Sequence, residues 1–586
     1  MKYVKRIWSI FSLCWKAKKL YFVLNFIFSA ISGLYPIVNL KLVNSLIESF
    51  FGSKENTVIV IILLLITNIG YSLISNIDEY VQNLYGTLIS KKIKDNVIDK
   101  MKELPLSVFD NPDFMDTYFN ATSQSIHMPA AFLRIISSTI SLIISLSGYV
   151  SILLNLDYRA LIILILSYIP YAIIETKLQK ENVDIIFSDS TELRRSEYFS
   201  NTVMDIRTIK ETMIFRLFDY WKGKKNQSID IHISKLKKFG RKKVVQSMFG
   251  ITLPEIAVAS ALLISLNSIS NTNIYQFYMS VSGFLDSLKA VTMQFATDGS
   301  LLLLYAAYED FMAYEDQIQP PMLMNTVSSQ KITEPVRKIV FKDVSFSYSF
   351  TNKNAINNIN LALCAGKKYL IVGENGAGKT TLIKLLCGLY QPNFGEIKYN
   401  SLDHKHLAKE ELFEHISAIF QDYGKYSVSV KENISFCAES SIDEVIAAAV
   451  IGGADSFVKD YPEKYDTELS KLFKQNGIEP STGQWQRLAI SRAIYHQADI
   501  LIFDEPCASL DPLAEHDFYK FITEKITDKI IVLVSHNLSS AKIVDSIIFM
   551  ENGEITDSGN HEELMLRNKR YSEVYNIQAE KFNNAE

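Results

Sequence analysis

Cysteine is scarce in this chain, and what there is lies scattered. Cys14, Cys364, Cys387, Cys437 and Cys507 form no Cys-x-x-Cys pair, and no histidine spacing suggests a Cys/His metal site. This excludes a disulfide-stapled secreted scaffold and reads as thiols kept reduced at a cytosolic face. Cys507 follows Asp504-Glu505-Pro506 and is read as inert, because nothing nearby offers a resolving partner. A basic excess is missing as well. The net charge is −4, so the electrostatic footprint of a nucleic-acid binder is absent and no nucleic-acid partner is expected. No small-residue cleavage site follows the N-terminal segment, where Lys2, Lys5, Arg6, Lys16, Lys18 and Lys19 surround Trp8, Phe11 and Trp15 at helical spacing. That segment reads as an amphipathic helix on the inner membrane surface or as a basic flank to a first span, not as a removed signal.

Long apolar runs, by contrast, crowd the chain before residue 310, while the remainder is patterned like a soluble α/β domain. A length of 586 residues is too great for a single core. Crossing a bilayer as a helix takes about 20 apolar residues. Residues 21–40, 57–77, 135–154, 160–174, 249–266 and 275–295 qualify, and the run Val58 to Ile66 leaves no polar face for water. The links between spans two and three (Lys91, Lys92, Lys94, Lys100, Lys102) and four and five (from Arg194 to Lys243) hold most of the basic residues. Positive residues stay inside, so both termini are expected in the cytoplasm of a plasma-membrane protein. The two basic links are expected to extend the spans as helical hairpins, with tips at 108–118 and 205–221 as candidates for docking onto the second domain. The expected domains are 1–315 in the membrane, a linker at 316–335 marked by Pro320-Pro321 and Ser328-Ser329, and 336–586, where strand-like and helical runs alternate as in a mainly parallel sheet. The expected fold class is a membrane α-helical domain, six transmembrane helices with long cytoplasmic hairpins, followed by an α/β domain.

The chemistry sits in the last third. Gly373-Glu374-Asn375-Gly376-Ala377-Gly378-Lys379-Thr380-Thr381 follows the apolar strand Leu370-Ile371-Val372. Its glycines let backbone N–H groups wrap a phosphate chain, and the following helix adds its positive end. Lys379 is placed to reach the β- and γ-phosphates of ATP, and the Thr380 hydroxyl to ligate Mg²⁺. Asp504 and Glu505 end the apolar run Ile500-Leu501-Ile502-Phe503, at a strand's carboxyl end, where open α/β sheets bind ligands.

With Gln421, the stretch Ser481-Thr482-Gly483-Gln484-Trp485-Gln486-Arg487, and His536, these motifs fall in a fixed order that resembles the ATPase cassette of ABC transporters. The resemblance implies further roles. Asp504 would hold Mg²⁺ through water, Glu505 would polarise the attacking water, and His536 would contact the γ-phosphate. Tyr348 would stack on adenine, Gln421 would sense Mg²⁺ and the membrane domain, and Asp511, in Ser509-Leu510-Asp511, would cross the dimer interface. Ser481, Gly483 and Gln484 would sandwich the partner subunit's ATP. In that signature Thr482 replaces a glycine, adding bulk and disfavouring positive φ, which predicts a slow ATPase.

Spans, hairpins and cassette in this order are similar to ABC exporters, and no internal repeat is visible, so the chain is expected to be a half-transporter, a homodimer rather than a heterodimer. Phe109-Asp110-Asn111-Pro112-Asp113-Phe114, Tyr465-Asp466-Thr467-Glu468-Leu469 and Gln484-Trp485-Gln486-Arg487 resemble the exporters of lantibiotic and bacteriocin-type peptides. No protease domain is expected before the first span, hence no leader cleavage. Glu255, Asp286 and Lys289 fall inside spans and are candidates for contact with cargo, the alternative being an Asp286–Lys289 pair that only fixes packing. The alternatives in function are a multidrug or lipid exporter and an ATP-gated membrane regulator that does not pump.

Overall fold

Runs of Val, Ile and Leu with no polar side must satisfy their backbone hydrogen bonds without water in lipid, and a helix does so within the segment itself. The computed structural model describes residues 2–50, 54–119, 121–122, 128–188, 190–265, 273–314, 330–349, 351, 353–437, 439–535 and 538–583. The chain forms two compact units, Met1–Glu103 with Asp116–Tyr314 and Leu104–Met115 with Glu315–Glu586.

Among the described residues of the first unit, five helical stretches are long and apolar enough to cross a membrane: Lys19–Phe50, Thr57–Glu103, Met128–Leu156, Tyr158–Asn182 and Phe218–Ser265. The sixth expected span lies on the helix Ile274–Met312, which carries Asp286 and Lys289. Val58, Ile59, Ile62, Leu65 and Ile66 are each more than half exposed, as side chains facing lipid would be. The helix Lys54–Glu103 runs for 50 residues, about 75 Å and well beyond the hydrocarbon core. The spans therefore continue as the expected hairpin arms. Small residues serve close packing. A side chain on Gly33 would strike the Ser141 carbonyl oxygen at 2.5 Å, one on Gly148 would strike Ile37, and the Ser145 hydroxyl donates to the Gly33 carbonyl (2.8 Å).

The second unit carries ten strands among its described residues: β1 (Lys338–Phe346), β2 (Ile356–Cys364), β3 (Lys368–Gly373), β4 (Phe394–Tyr399), β5 (Leu402–Asp403), β6 (Ile416–Ile419), β7 (Ile500–Asp504), β8 (Ile530–Val534), β9 (Ser546–Glu551) and β10 (Glu554–Gly559). They form an antiparallel sheet, order β2-β1-β4-β5, and a six-stranded sheet, order β10-β9-β3-β8-β7-β6. In the larger sheet β9, β3, β8, β7 and β6 run parallel and β10 antiparallel. β7 and β8 are buried along their whole length, as parallel strands covered on both faces must be. Because β3, β8 and β7 are parallel neighbours, the loops after β3 and β7 open at the same edge.

Two segments behave differently from a plain linker or loop. Leu104–Met115, which takes in most of the first expected tip, belongs to the second unit, where Asp110 accepts a hydrogen bond from the Tyr390 hydroxyl (2.6 Å). Asp205 and Trp221, the ends of the other tip, lie in the first unit. Of the expected linker, residues 316–329 lie outside the described residues. Residues 330–335 are docked on the cassette, with Ile332 only 8 % exposed and its N–H donating to Glu411 (3.0 Å).

Candidate functional site: a nucleotide cleft at the ends of β3 and β7

The helix Lys379–Leu386 begins directly after β3 and its loop, with Gly378 as its N-cap at φ 99°. Gly376 (φ 82°) and Gly378 both occupy the left-handed region, and a side chain on Gly378 would strike the Ala355 carbonyl oxygen at 2.7 Å. Glycine is what this loop requires. Lys379 is 7 % exposed and folds back to donate to the carbonyls of Gly373 (2.8 Å) and Glu374 (3.0 Å). Burial lowers its pKa below the usual lysine value, while the charges of Glu505 and Asp504 act the other way.

A cleft of ≈ 750 Å³ opens over this loop. Tyr348, Asn375, Gly376, Gly378, Lys379, Thr380, Thr381, Gln421, Asp504 and Glu505 line it together. Asp504, 4 % exposed, has its carboxyl pushed up to about 6, by burial first and then by Glu505, with Lys379 opposing and Asp422 adding. Glu505 follows with φ 52°, and Gln421 Nε2 donates to its Oε2 (3.0 Å). The Tyr348 hydroxyl lies 3.1 Å from Thr381 Oγ1, and its ring meets Tyr390 edge-on with centroids 5.4 Å apart. Acidic groups thus crowd around one lysine at the mouth of a phosphate-shaped loop. Among the described residues no cluster of three His, Cys, Asp or Glu side chains is arranged to hold a metal. A cation here would be held by Asp504, the Thr380 hydroxyl, the Gln421 carbonyl oxygen and the substrate's own phosphates, an all-oxygen set that suits Mg²⁺.

The remaining expected residues lie elsewhere. Gly373, Glu374 and Ala377 form the loop without lining the cleft. Ser481 caps the helix Thr482–Tyr495, its N–H donating to Gln484 Oε1 (2.9 Å) and its Oγ accepting from Gln484 N (3.3 Å). Thr482 is therefore the first helical residue, and it is absent from the positive-φ residues. The backbone restriction expected for it does not arise, because a helix start asks nothing that threonine cannot supply. The demanding glycine is the next one, since a side chain on Gly483 would strike the Ser509 carbonyl oxygen at 2.8 Å. Asp511 caps the helix Pro512–Lys525 and accepts from Arg487 (2.7 Å). His536 lies outside the described residues. The Cys507 thiol is pushed up to about 12 by burial, which suits an inert cysteine.

Sequence reasoning missed the other wall of the cleft, Asn552-Gly553. Both have positive φ (50° and 85°) in the β9–β10 hairpin, and Asn-Gly is the standing signal for that turn. In the first unit, the three intramembrane charges do meet, though not as expected. Lys289 donates to Glu255 (2.8 Å), and Asp286 stands farther off at 3.9 Å. The neighbouring helix supplies the closer partner.

Residues 356–508 match the family model described as ABC transporter. The chain is 29 % identical to the subtilin transport ATP-binding protein SpaT of Bacillus subtilis, over 96 % of this chain and 92 % of that one. It is 27 % identical to the nisin transport ATP-binding protein NisT of Lactococcus lactis subsp. lactis, over 97 % and 95 %. In fold it matches the structure of a bacterial Atm1-family ABC exporter with ATP bound, at a TM-score of 0.80 and 18 % identity, over 96 % of this chain and 98 % of that one. Since the likeness spans the apolar helices as well as the nucleotide cleft, the chain is an ABC transporter half-exporter, a multi-pass membrane protein that couples ATP hydrolysis to transport.

Proposed function

We propose that this half-exporter moves a lantibiotic-like peptide out of the cytoplasm, as a homodimer with its cassettes and both termini on the cytoplasmic side. The observation that carries the cargo class is the extent of the similarity to the subtilin and nisin transporters, which takes in the membrane half where cargo would pass. Lysine and arginine concentrated in the links between spans two and three and between spans four and five support the orientation. One phosphate loop and one signature per chain support a symmetric pair with two equal ATP sites.

In the proposed hydrolysis, Tyr348 takes the adenine ring, and the loop Gly373–Lys379 takes the phosphates through its N–H groups and the Lys379 ammonium. Lys379 must exchange its two carbonyl partners for phosphate oxygens. Mg²⁺, held by Thr380, Gln421 and Asp504, would offset charge on the phosphates. Glu505, oriented by Gln421, accepts a proton from the attacking water. His536 contacts the γ-phosphate, and Ser481, Gly483 and Gln484 close over the nucleotide of the partner subunit. Glu255, Asp286 and Lys289 face the cargo path.

Inside-out vesicles containing the protein test this directly. They should accumulate a lantibiotic precursor peptide with ATP and not with a non-hydrolysable analogue. Glu505→Gln should bind ATP while hydrolysis falls by about 10²–10⁴-fold, the usual worth of a general base. Vesicles that hydrolyse ATP but take up no such peptide would overturn the cargo class. Parental hydrolysis by Glu505→Gln would remove Glu505 from its role.

A further inference from the structure

We propose that Gln486 is a positioning residue for hydrolysis, its buried amide fixing the backbone on which Glu505 and Ser509 stand. The proposal rests on the role given above to Glu505.

Glu505 is a non-glycine residue in the left-handed region, φ 52°, directly after the last residue of β7. Such a conformation costs free energy and persists only where neighbours over-determine it. The Glu505 N–H is tied to the Val534 carbonyl of β8 (3.0 Å). Its carbonyl accepts from Gln486 Nε2 (3.1 Å). The other end of the same amide, Oε1, accepts the Ser509 N–H (3.0 Å). One side chain, 3 % exposed, therefore clamps both ends of the turn between the proposed base and the loop toward Asp511.

The clamp needs a donor and an acceptor at the tip of a long side chain, and glutamine supplies both. Asparagine has the same amide but is one methylene shorter. An apolar replacement removes both bonds, leaving the Glu505 carbonyl only the longer bond from the Ala508 N–H (3.3 Å) and freeing Ser509 from the helix. Gln486 can reach because Gly483, one turn earlier on the same helix, lets the Ser509 carbonyl come close. The helix capped by Ser481 thus holds the base of its own subunit through Gln486. A displacement of about an ångström at such a base is enough to slow the chemical step while leaving substrate binding to the phosphate loop.

The test compares Gln486→Leu, Gln486→Glu and Glu505→Gln in the full-length dimer in lipid nanodiscs, with ATP as the titrated ligand. For Gln486→Leu, kcat should fall by about 10–100-fold with KM for ATP within about twofold of the parent. Gln486→Glu carries a different signature. In its acid form the carboxyl can donate to the Glu505 carbonyl and accept from the Ser509 N–H, so its kcat relative to the parent should rise as pH is lowered from about 8 to about 6. A flat ratio, a kcat for Gln486→Leu within twofold of the parent, or a KM that rises as kcat falls would overturn the assignment. Loss of hydrolysis in Glu505→Gln beside an unaffected Gln486→Leu overturns the role of Gln486 alone. Retained hydrolysis in Glu505→Gln overturns the base assignment and this proposal with it.

Discussion

Asp504 is the residue whose environment most directly sets a pH dependence. It is 4 % exposed, and its carboxyl titrates at about 6, against an ordinary 3.8. Between those values the folded state binds more protons than the unfolded chain, so stability falls as pH rises from about 4 to about 6 and stays low above that window. Asparagine cannot ionise. Nucleotide-free Asp504→Asn should therefore unfold at a higher temperature than the parent at about pH 7.5, with the gap shrinking as pH falls through about 6. Differential scanning fluorimetry across that range checks it, and equal melting at every pH removes the strain ascribed to the buried charge. Much of the cleft was legible in the sequence because its chemistry depends on residue types at short, fixed spacing, as in Gly376, Gly378, Lys379 and Thr380. Gln486 was not legible in the same way. Its partners, Glu505 and Ser509, come from another element, and a glutamine among polar neighbours in a helix carries no sign that it will be buried.

At the scale of elements, the start of the helix Thr482–Tyr495 separates two adjacent residues that the sequence treats alike. Thr482 is exposed and begins the helix with ordinary backbone, whereas Gly483 faces the Ser509 carbonyl at a distance no side chain tolerates. Thr482→Gly should leave ATPase activity within about twofold, since neither conformation nor packing changes much at a helix start. Gly483→Ala must push the loop that carries Ser509, at about 1–3 kcal/mol, the usual range for overpacking. It should lower hydrolysis while nucleotide still binds. Steady-state ATPase of the two variants, measured side by side, decides this, and a marked rise for Thr482→Gly would return the crowding argument to threonine. The strands β3, β7 and β8 could be read from their uninterrupted apolar runs. The antiparallel sheet of β1, β2, β4 and β5 could not. β1 shifts register against β2 and β4 between Phe341 and Phe346, which breaks the period-two alternation a sequence pattern depends on. The hairpin tip presented a similar limit, for turn chemistry at Asn111-Pro112 marks a bend but not that Asp110 will bond Tyr390.

For the whole molecule, the question is how the membrane half tells one cargo from another, and its internal charges are where that can be tested. Lys289 pairs with Glu255 at 2.8 Å across two helices, and Asp286 stands 3.9 Å from the same ammonium. Two carboxylates share one lysine, which leaves one negative charge in surplus and would suit a cationic stretch of the proposed peptide cargo. Asp286 is that surplus group, since its side chain is 72 % exposed while Lys289 is only 20 % exposed. Lys289→Met should leave two acids facing each other without a counter-charge and lower the yield of folded dimer. Glu255→Gln in the same chain should restore it, because the pair is then removed as a unit. Asp286→Asn leaves the Glu255–Lys289 bond in place, so its yield should stay near that of the parent. With the surplus charge gone, peptide-stimulated ATPase and uptake of a cationic precursor should fall together. Normal uptake by well-expressed Asp286→Asn protein would take Asp286 out of cargo handling, while the Lys289 and Glu255 double change would still report whether the pair holds the two helices together.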